Sequence, residues 1–201
     1  MTTSIGIFIF PDVEVLDFAG PYEVFTTAVR VALRREPHKE LPFSVFTVAA
    51  DATAVRARAG LVVQPEFTFA NYPPIDVLIV PGGVVTAELE RVAVVEWIKK
   101  VADKSSLTAS VCTGAFLLAK TGLLGNATVT THWEDIDDLS AMFPLLNVIG
   151  NCRWVDEGKF VTSAGISAGI DMSLHLVERL AERDLAEATA RQMDFDWREN
   201  T

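Results

Sequence analysis

The sequence predicts an α/β fold: three layers, with a mostly parallel central sheet covered by helices on both faces. Three observations predict it. Short apolar, β-branched runs alternate with longer segments of helical period along the whole chain. The runs Ser4–Phe10 and Ile75–Val80 are nearly continuous in apolar residues, as expected of strands buried on both faces. Finally, Leu107–Ala119 joins such a run to a run of good helix formers through one cysteine, Cys112, with Ser110 and Gly114 two residues away on either side. Small–x–nucleophile–x–small between a strand and a helix is the pattern of a nucleophile elbow.

Half of the 201 residues are hydrophobic, enough for one compact core, and residues 1–201 read as a single domain. A formal net charge of −10 argues against a nucleic-acid or anionic-membrane partner, since both need basic patches. Two cysteines, Cys112 and Cys152, cannot make a disulfide framework, and the elbow needs its thiol free; a reducing compartment fits. The N-terminal run lacks the basic start and cleavage site of a secretion signal. No apolar stretch approaches the roughly 18 residues of a membrane span. The expectation is a soluble, cytoplasmic protein. Three scattered histidines without ligand spacing give no metal site, and no cofactor is expected.

In order, Ser4–Phe10 is the first strand, ended by Pro11-Asp12. Val13 to about Arg35 reads as helical, with Gly20-Pro21 either bending or restarting it. Arg34–Pro42 is a charged loop in which His38 is a solvated surface residue. Phe43–Val48 is the second strand. Val55–Val63, broken at Ala59-Gly60, reads as a hairpin excursion, and 64–74 as irregular. Ile75–Val80 is a strand ending in Pro81-Gly82-Gly83, and Thr86–Asp103 one amphipathic helix. After the elbow come a short strand, Asn126–Thr131, and a helix, Glu134–Met142. A glycine-turned hairpin spans Arg153–Thr162. Small residues from Ser163 to Asp171 open a helix running to about Glu182, and Leu185–Asp196 is the last helix.

Several residues carry candidate chemistry. Cys112, at the N-terminus of a helix, is expected to have a lowered pKa and to be partly thiolate at neutral pH. Gly82 and Gly83 leave backbone N–H groups without side-chain cover; they are oxyanion donors or a plain turn. His132 follows a strand carboxyl end, where open α/β sheets place ligands, and can move a proton; it can equally cap the next helix. Asp17 stands in an apolar stretch, and local sequence makes it an N-cap or first-turn aspartate for a helix restarting near Pro21. Cys152 and His175 read as structural.

Val111-Cys112-Thr113-Gly114-Ala115, Thr131-His132-Trp133, Asp17-Phe18-Ala19-Gly20-Pro21 and Pro81-Gly82-Gly83 together resemble the ThiJ/PfpI superfamily, in its order and over essentially the whole chain. The resemblance implies a flavodoxin-like three-layer sandwich of the class I glutamine-amidotransferase type. Within it the chain is most similar to isonitrile hydratases and to the sensor domains of some AraC-type regulators, with which Thr162–Asp171 is also shared. The resemblance implies that Asp17 lies beside Cys112 and Thr113 and that the three are catalytic. An adjacent carboxyl and thiol should then share a proton, with Asp17 kept protonated if the helix dipole favours the thiolate. Backbone N–H groups near Gly83 and Thr113 would serve as oxyanion donors, and Phe18 and Trp133 would line an apolar pocket. The implied activity is hydration of a small isonitrile to an N-substituted formamide by a homodimer joined through its N-terminal helix. Redox or ligand sensing at the same cysteine, or dicarbonyl chemistry, are the alternatives. Thr113 weakens the protease option, which uses a histidine after the cysteine.

Overall fold

The computed structural model describes residues 1–200. Its elements are β1 (Thr3–Phe8), α1 (Val15–Arg35), β2 (Phe43–Ala49), β3 (Val55–Arg56), β4 (Val62–Val63), β5 (Phe67–Thr68), β6 (Val77–Val80), α2 (Thr86–Glu90), α3 (Val92–Lys104), β7 (Leu107–Val111), α4 (Gly114–Lys120), β8 (Thr128–Val129), α5 (Ile136–Met142), β9 (Asn147–Val148), β10 (Trp154–Asp156), β11 (Phe160–Ser163), α6 (Ala168–Leu180) and α7 (Arg183–Gln192).

The central sheet has seven strands in the order β10-β11-β7-β6-β1-β2-β5. Every pairing is parallel except β10 with β11. Ile5, Ile7, Leu78, Ile79 and Ala109 expose no surface, which accounts for the unbroken apolar runs. Each such isoleucine or leucine contributes roughly 2 kcal/mol through burial. From β1 the chain crosses to β2; from β6 it crosses the other way, to β7. Right-handed crossovers therefore put α1 and α3 on opposite faces. Helices α6 and α7 pack with α1, and α4 packs with α3. The reversal between β1 and β6 is a topological switch point, the place where such sheets hold ligands at their carboxyl ends. The predicted α/β sandwich is the observed fold.

The structure differs from the sequence expectations at four places. Helix α1 runs unbroken through Pro21. Proline removes the N–H that would bond the Asp17 carbonyl, but Phe18, Val24, Phe25 and Ala28 bury against the core on either side and keep the helix continuous. The expected helix 86–103 is two helices parted at Arg91, whose backbone is extended; from there its guanidinium bonds both carboxylate oxygens of buried Glu88, at 3.0 and 3.1 Å. Within the segment read as irregular, Phe67-Thr68 pairs with β2 as an edge strand. The strand expected at 126–131 is shortened to β8 and pairs with β9, outside the main sheet, because β11 occupies the place beside β7. Among the described residues no helix is long and apolar enough to cross a membrane.

Candidate functional site

Three segments meet at the carboxyl end of the sheet: the start of α1, the turn after β6 and the turn after β7. The last is the elbow. Cys112 has φ of +56°, the left-handed region, which costs a non-glycine residue roughly 1–2 kcal/mol. The surroundings hold it there. Its N–H bonds Ser163 O at 3.1 Å, continuing the β7–β11 ladder, and its carbonyl accepts from Thr131 Oγ1 at 2.8 Å. Gly114 must be glycine: a Cβ there would sit 2.1 Å from the Val80 carbonyl oxygen. The small residue in the elbow pattern is thus set by contact with β6.

Asp17 is the third residue of α1, whose N-cap is Glu14. The expected helix restart near Pro21, which Asp17 would cap or open, does not form; Asp17 stands instead in the first turn of the continuous α1. Asp17 exposes no surface. Its Oδ2 accepts from the Gly82 N–H at 3.1 Å, while Oδ1 has no hydrogen-bond partner. The Cys112 thiol interacts with the carboxyl, so the juxtaposition implied by the resemblance is present. Gly82 allows it: a Cβ would lie 2.6 Å from Thr113 N and 2.9 Å from Asp17 Oδ2.

Neither glycine N–H is free as an oxyanion donor. That of Gly82 serves Asp17, and that of Gly83 bonds Thr113 Oγ1 at 2.9 Å. Thr113 Oγ1 also lies 2.9 Å from the Gly83 carbonyl, as donor. The threonine is therefore a clamp between the elbow and the β6 turn. Its backbone N–H and its hydroxyl both act on the Cys112 sulfur.

The proton balance is opposite to the elbow expectation. Burial, reinforced by the charge of Asp17, pushes the Cys112 thiol up to about 12, against the Thr113 hydrogen bonds that lower it. Burial raises Asp17 to about 7, with the Gly82 N–H pulling the other way. Both directions favour the protonated form, so burial holds the thiol neutral at neutral pH. A four-turn-long dipole is not available here: α4 has only 7 residues, and desolvation of the sulfur outweighs it.

Above Cys112 opens a cleft of about 750 Å³. Val84, Val85, Leu89 and Phe116 give it apolar walls; Glu14, Arg58, Asp135 and Asp138 give it charge. His132 lines it too, with Nδ1 accepting the Glu134 N–H at 3.3 Å as the cap of the following turn. The capping reading of His132 is correct, and the ring still faces the cleft. Gly165 makes room for it, since a Cβ there would fall 1.9 Å from His132 Cδ2. Two expected wall residues are elsewhere. Phe18 is part of the core and does not line the cleft. Trp133 is 76 % exposed and does not line it. Arg58 and Asp135 were not legible as site residues, because a hairpin tip and a helix-entry turn carry no motif. Cys152 is free and half-buried, His38 is exposed, and His175 bonds Asp156 at 2.7 Å, all away from the cleft. Among the described residues no group of three or more His, Cys, Asp or Glu is placed to hold a metal.

Known proteins share this architecture. The DJ-1/PfpI family model matches residues 3–179. Isonitrile hydratase of Pseudomonas putida is 34% identical over 197 residues, covering 97% of this chain and 79% of that protein. The HTH-type transcriptional regulator GbdR of Pseudomonas aeruginosa is 28% identical over 193 residues; the chain spans 51% of that regulator. The crystal structure of a THiJ/PfpI family protein from Pseudomonas syringae superposes with a TM-score of 0.84 at 25% identity, covering 99% of this chain and 77% of that one. With the elbow cysteine, its buried aspartate and the reversed strand order all in place, the family match leaves one conclusion: the chain belongs to the DJ-1/PfpI family.

Proposed function

We propose that the protein hydrates a small isonitrile to an N-substituted formamide, with Cys112 as nucleophile and Asp17 as the group that moves protons. The observation that carries this reading is the pair itself: a fully buried carboxyl, raised to about 7 by burial, against a neutral elbow thiol at the floor of a cleft. Similarity to an isonitrile hydratase over nearly the whole chain supports it.

The terminal carbon of an isonitrile can take both a proton and a nucleophile. Asp17, ionised, accepts the Cys112 proton and delivers it to that carbon as the sulfur adds, giving a thioimidate. Asp17 is again ionised. It then takes a proton from water as the water oxygen attacks the thioimidate carbon, and passes that proton to the nitrogen. As the tetrahedral adduct collapses, Asp17 takes the proton of its hydroxyl, the carbon–sulfur bond breaks, the formamide leaves, and Asp17 returns that proton to the sulfur. A thiol that stays neutral at rest suits this sequence, because the substrate needs a proton as well as a sulfur. The Thr113 N–H steadies the thiolate while it exists. The dimer expected through α1 adds nothing required by these steps.

The oxidation-sensor reading needs a thiolate at rest, which burial of Cys112 opposes. The test is turnover of cyclohexyl isocyanide followed by formamide release. Activity lost in Cys112→Ala and in Asp17→Asn is the expected result. Formamide formation that survives Cys112→Ala, or no turnover by protein with Cys112 shown reduced, would overturn the proposal.

A further inference from the structure

Among the described residues, six besides the glycines have φ in the left-handed region: Asp12, Ala59, Cys112, Asn151, Ile166 and Asp194. Two of the six, Cys112 and Ile166, line the cleft. Ile166, at +49°, is the β-branched one, and for such a side chain this conformation is a genuine outlier. Its neighbours pin it there. Gly165 lies against the His132 ring, and Gly169 against Val111, where a Cβ would fall 2.8 Å from Cγ1. The Gly169 N–H bonds the Ile166 carbonyl at 3.2 Å. Burial does not offset the strain, because Ile166 is 39% exposed while Ile170, one turn further on, is 9% exposed. Val84, in the turn after β6, and Met142, the last residue of α5, are also exposed and line the same cleft. Three large apolar side chains from three separate segments thus stay uncovered around Cys112, and one of them is held there against its own backbone preference.

We infer that Ile166, with Val84 and Met142, seats the N-substituent of the substrate, and that Ile166 makes the site prefer a cyclic or branched hydrocarbon substituent to a small one. The inference rests on the reading of Cys112 as the nucleophile and adds the substituent class and the residue that sets it. The isonitrile carbon goes to the sulfur, so the substituent occupies the rest of the cleft. A hydrocarbon ring there takes water off the three exposed side chains, and the gain grows with the area covered. A methyl group covers little of that area. A contact of this kind is made equally before and during reaction, so it acts on KM.

The test compares Ile166→Val, which keeps an apolar branched side chain, with Ile166→Asn and Ile166→Gly, which accept the left-handed backbone and remove the apolar contact. The ratio of kcat/KM for cyclohexyl isocyanide to that for methyl isocyanide is expected to fall roughly fivefold in Ile166→Asn and Ile166→Gly, through KM, and to stay within about twofold of the parent in Ile166→Val. A second pair of probes needs no isonitrile: benzyl and methyl methanethiosulfonate. The Cys112 sulfur bonds the sulfur that carries the benzyl or methyl group, the sulfur–sulfur bond of the reagent breaks, methanesulfinate leaves and the thiol proton passes to buffer. Rates read from the mass of the Cys112 peptide, divided by those of a small free thiol, should favour benzyl in the parent and lose that preference in the same two variants. A ratio unchanged in Ile166→Asn and Ile166→Gly with any probe that reacts, or an equal fall in Ile166→Val, would overturn the inference. A benzyl preference that these two variants abolish, in a protein that hydrates no isonitrile, would support the role of Ile166 and defeat the hydratase reading alone. A Cys112 inert to all four probes would overturn both.

Discussion

Asp17 and Asp171 occupy corresponding places and are treated in opposite ways. Each stands in the first turn of a helix, α1 and α6, the two helices pack together, and neither aspartate exposes any surface. Asp171 is fully partnered. Its Oδ2 accepts from Arg153 Nε at 2.8 Å and from a second guanidinium nitrogen, and its Oδ1 from the Arg198 N–H at 2.8 Å. Asp17 has one N–H, the Cys112 thiol, no cation in contact and one oxygen without a hydrogen-bond partner. A buried carboxylate with a guanidinium is a structural tie. The same group left short of partners is held at high energy when charged, and its proton becomes available near neutral pH. Burial alone does not make a carboxyl reactive; incomplete solvation by the protein does.

Substitutions can break this contrast from either side. The largest effect is expected from Asp17→Asn, which should lower kcat/KM for isonitrile hydration by about 10²–10⁴-fold, the ordinary worth of a proton-transfer group. The same variant should be more stable than the parent at pH 8. Because Asp17 is raised from 3.8 to about 7 on folding, the folded state holds its proton more tightly than the unfolded one. Its contribution is neutral below pH 4, grows increasingly unfavourable as pH rises to about 7, and is constant above that. The difference corresponds to on the order of 4 kcal/mol, so urea unfolding of the parent should weaken across that window while Asp17→Asn stays level. An identical slope in both proteins would remove Asp17 as its source.

Asp171→Asn should act in the reverse sense. It leaves Arg153 without its counter-charge and costs roughly 3 kcal/mol in unfolding free energy, with Cys112 reactivity little changed because the tie lies outside the cleft. A stable Asp171→Asn protein would show that full partnering is not what separates the two aspartates. The smallest effect is expected for Trp133→Ala. An exposed ring off the cleft should change kcat/KM by less than about twofold; a tenfold loss would place the ring over bound substrate.

The fold was legible because parallel strands buried on both faces leave unbroken apolar runs, and the elbow because it demands Gly114 and a cysteine in a fixed spacing. The helix break at Arg91 was not, since it depends on a pairing with Glu88 that looks like an ordinary helical i,i+3 couple. Asp17 shows the limit most plainly. Nothing in its neighbours distinguishes it from Asp171, and its distance in sequence from Cys112 hides their contact; only the resemblance linked them. The upward shift of the Cys112 thiol escaped the sequence for a different reason. A helix N-terminus is visible in a pattern, but the desolvation that overrides it is a property of the assembled core.

The most direct test of this account is a pH titration of the pair in Cys152→Ser protein, following thiolate ultraviolet absorbance and the carboxylic acid C=O stretch assigned by comparison with Asp17→Asn. The account predicts that the protonated-carboxyl band disappears near pH 7 while no thiolate forms until well above neutral pH. A thiolate already present at pH 7 beside a carboxyl that keeps its proton would contradict it, and would return the site to the activated-cysteine state that the elbow alone suggests.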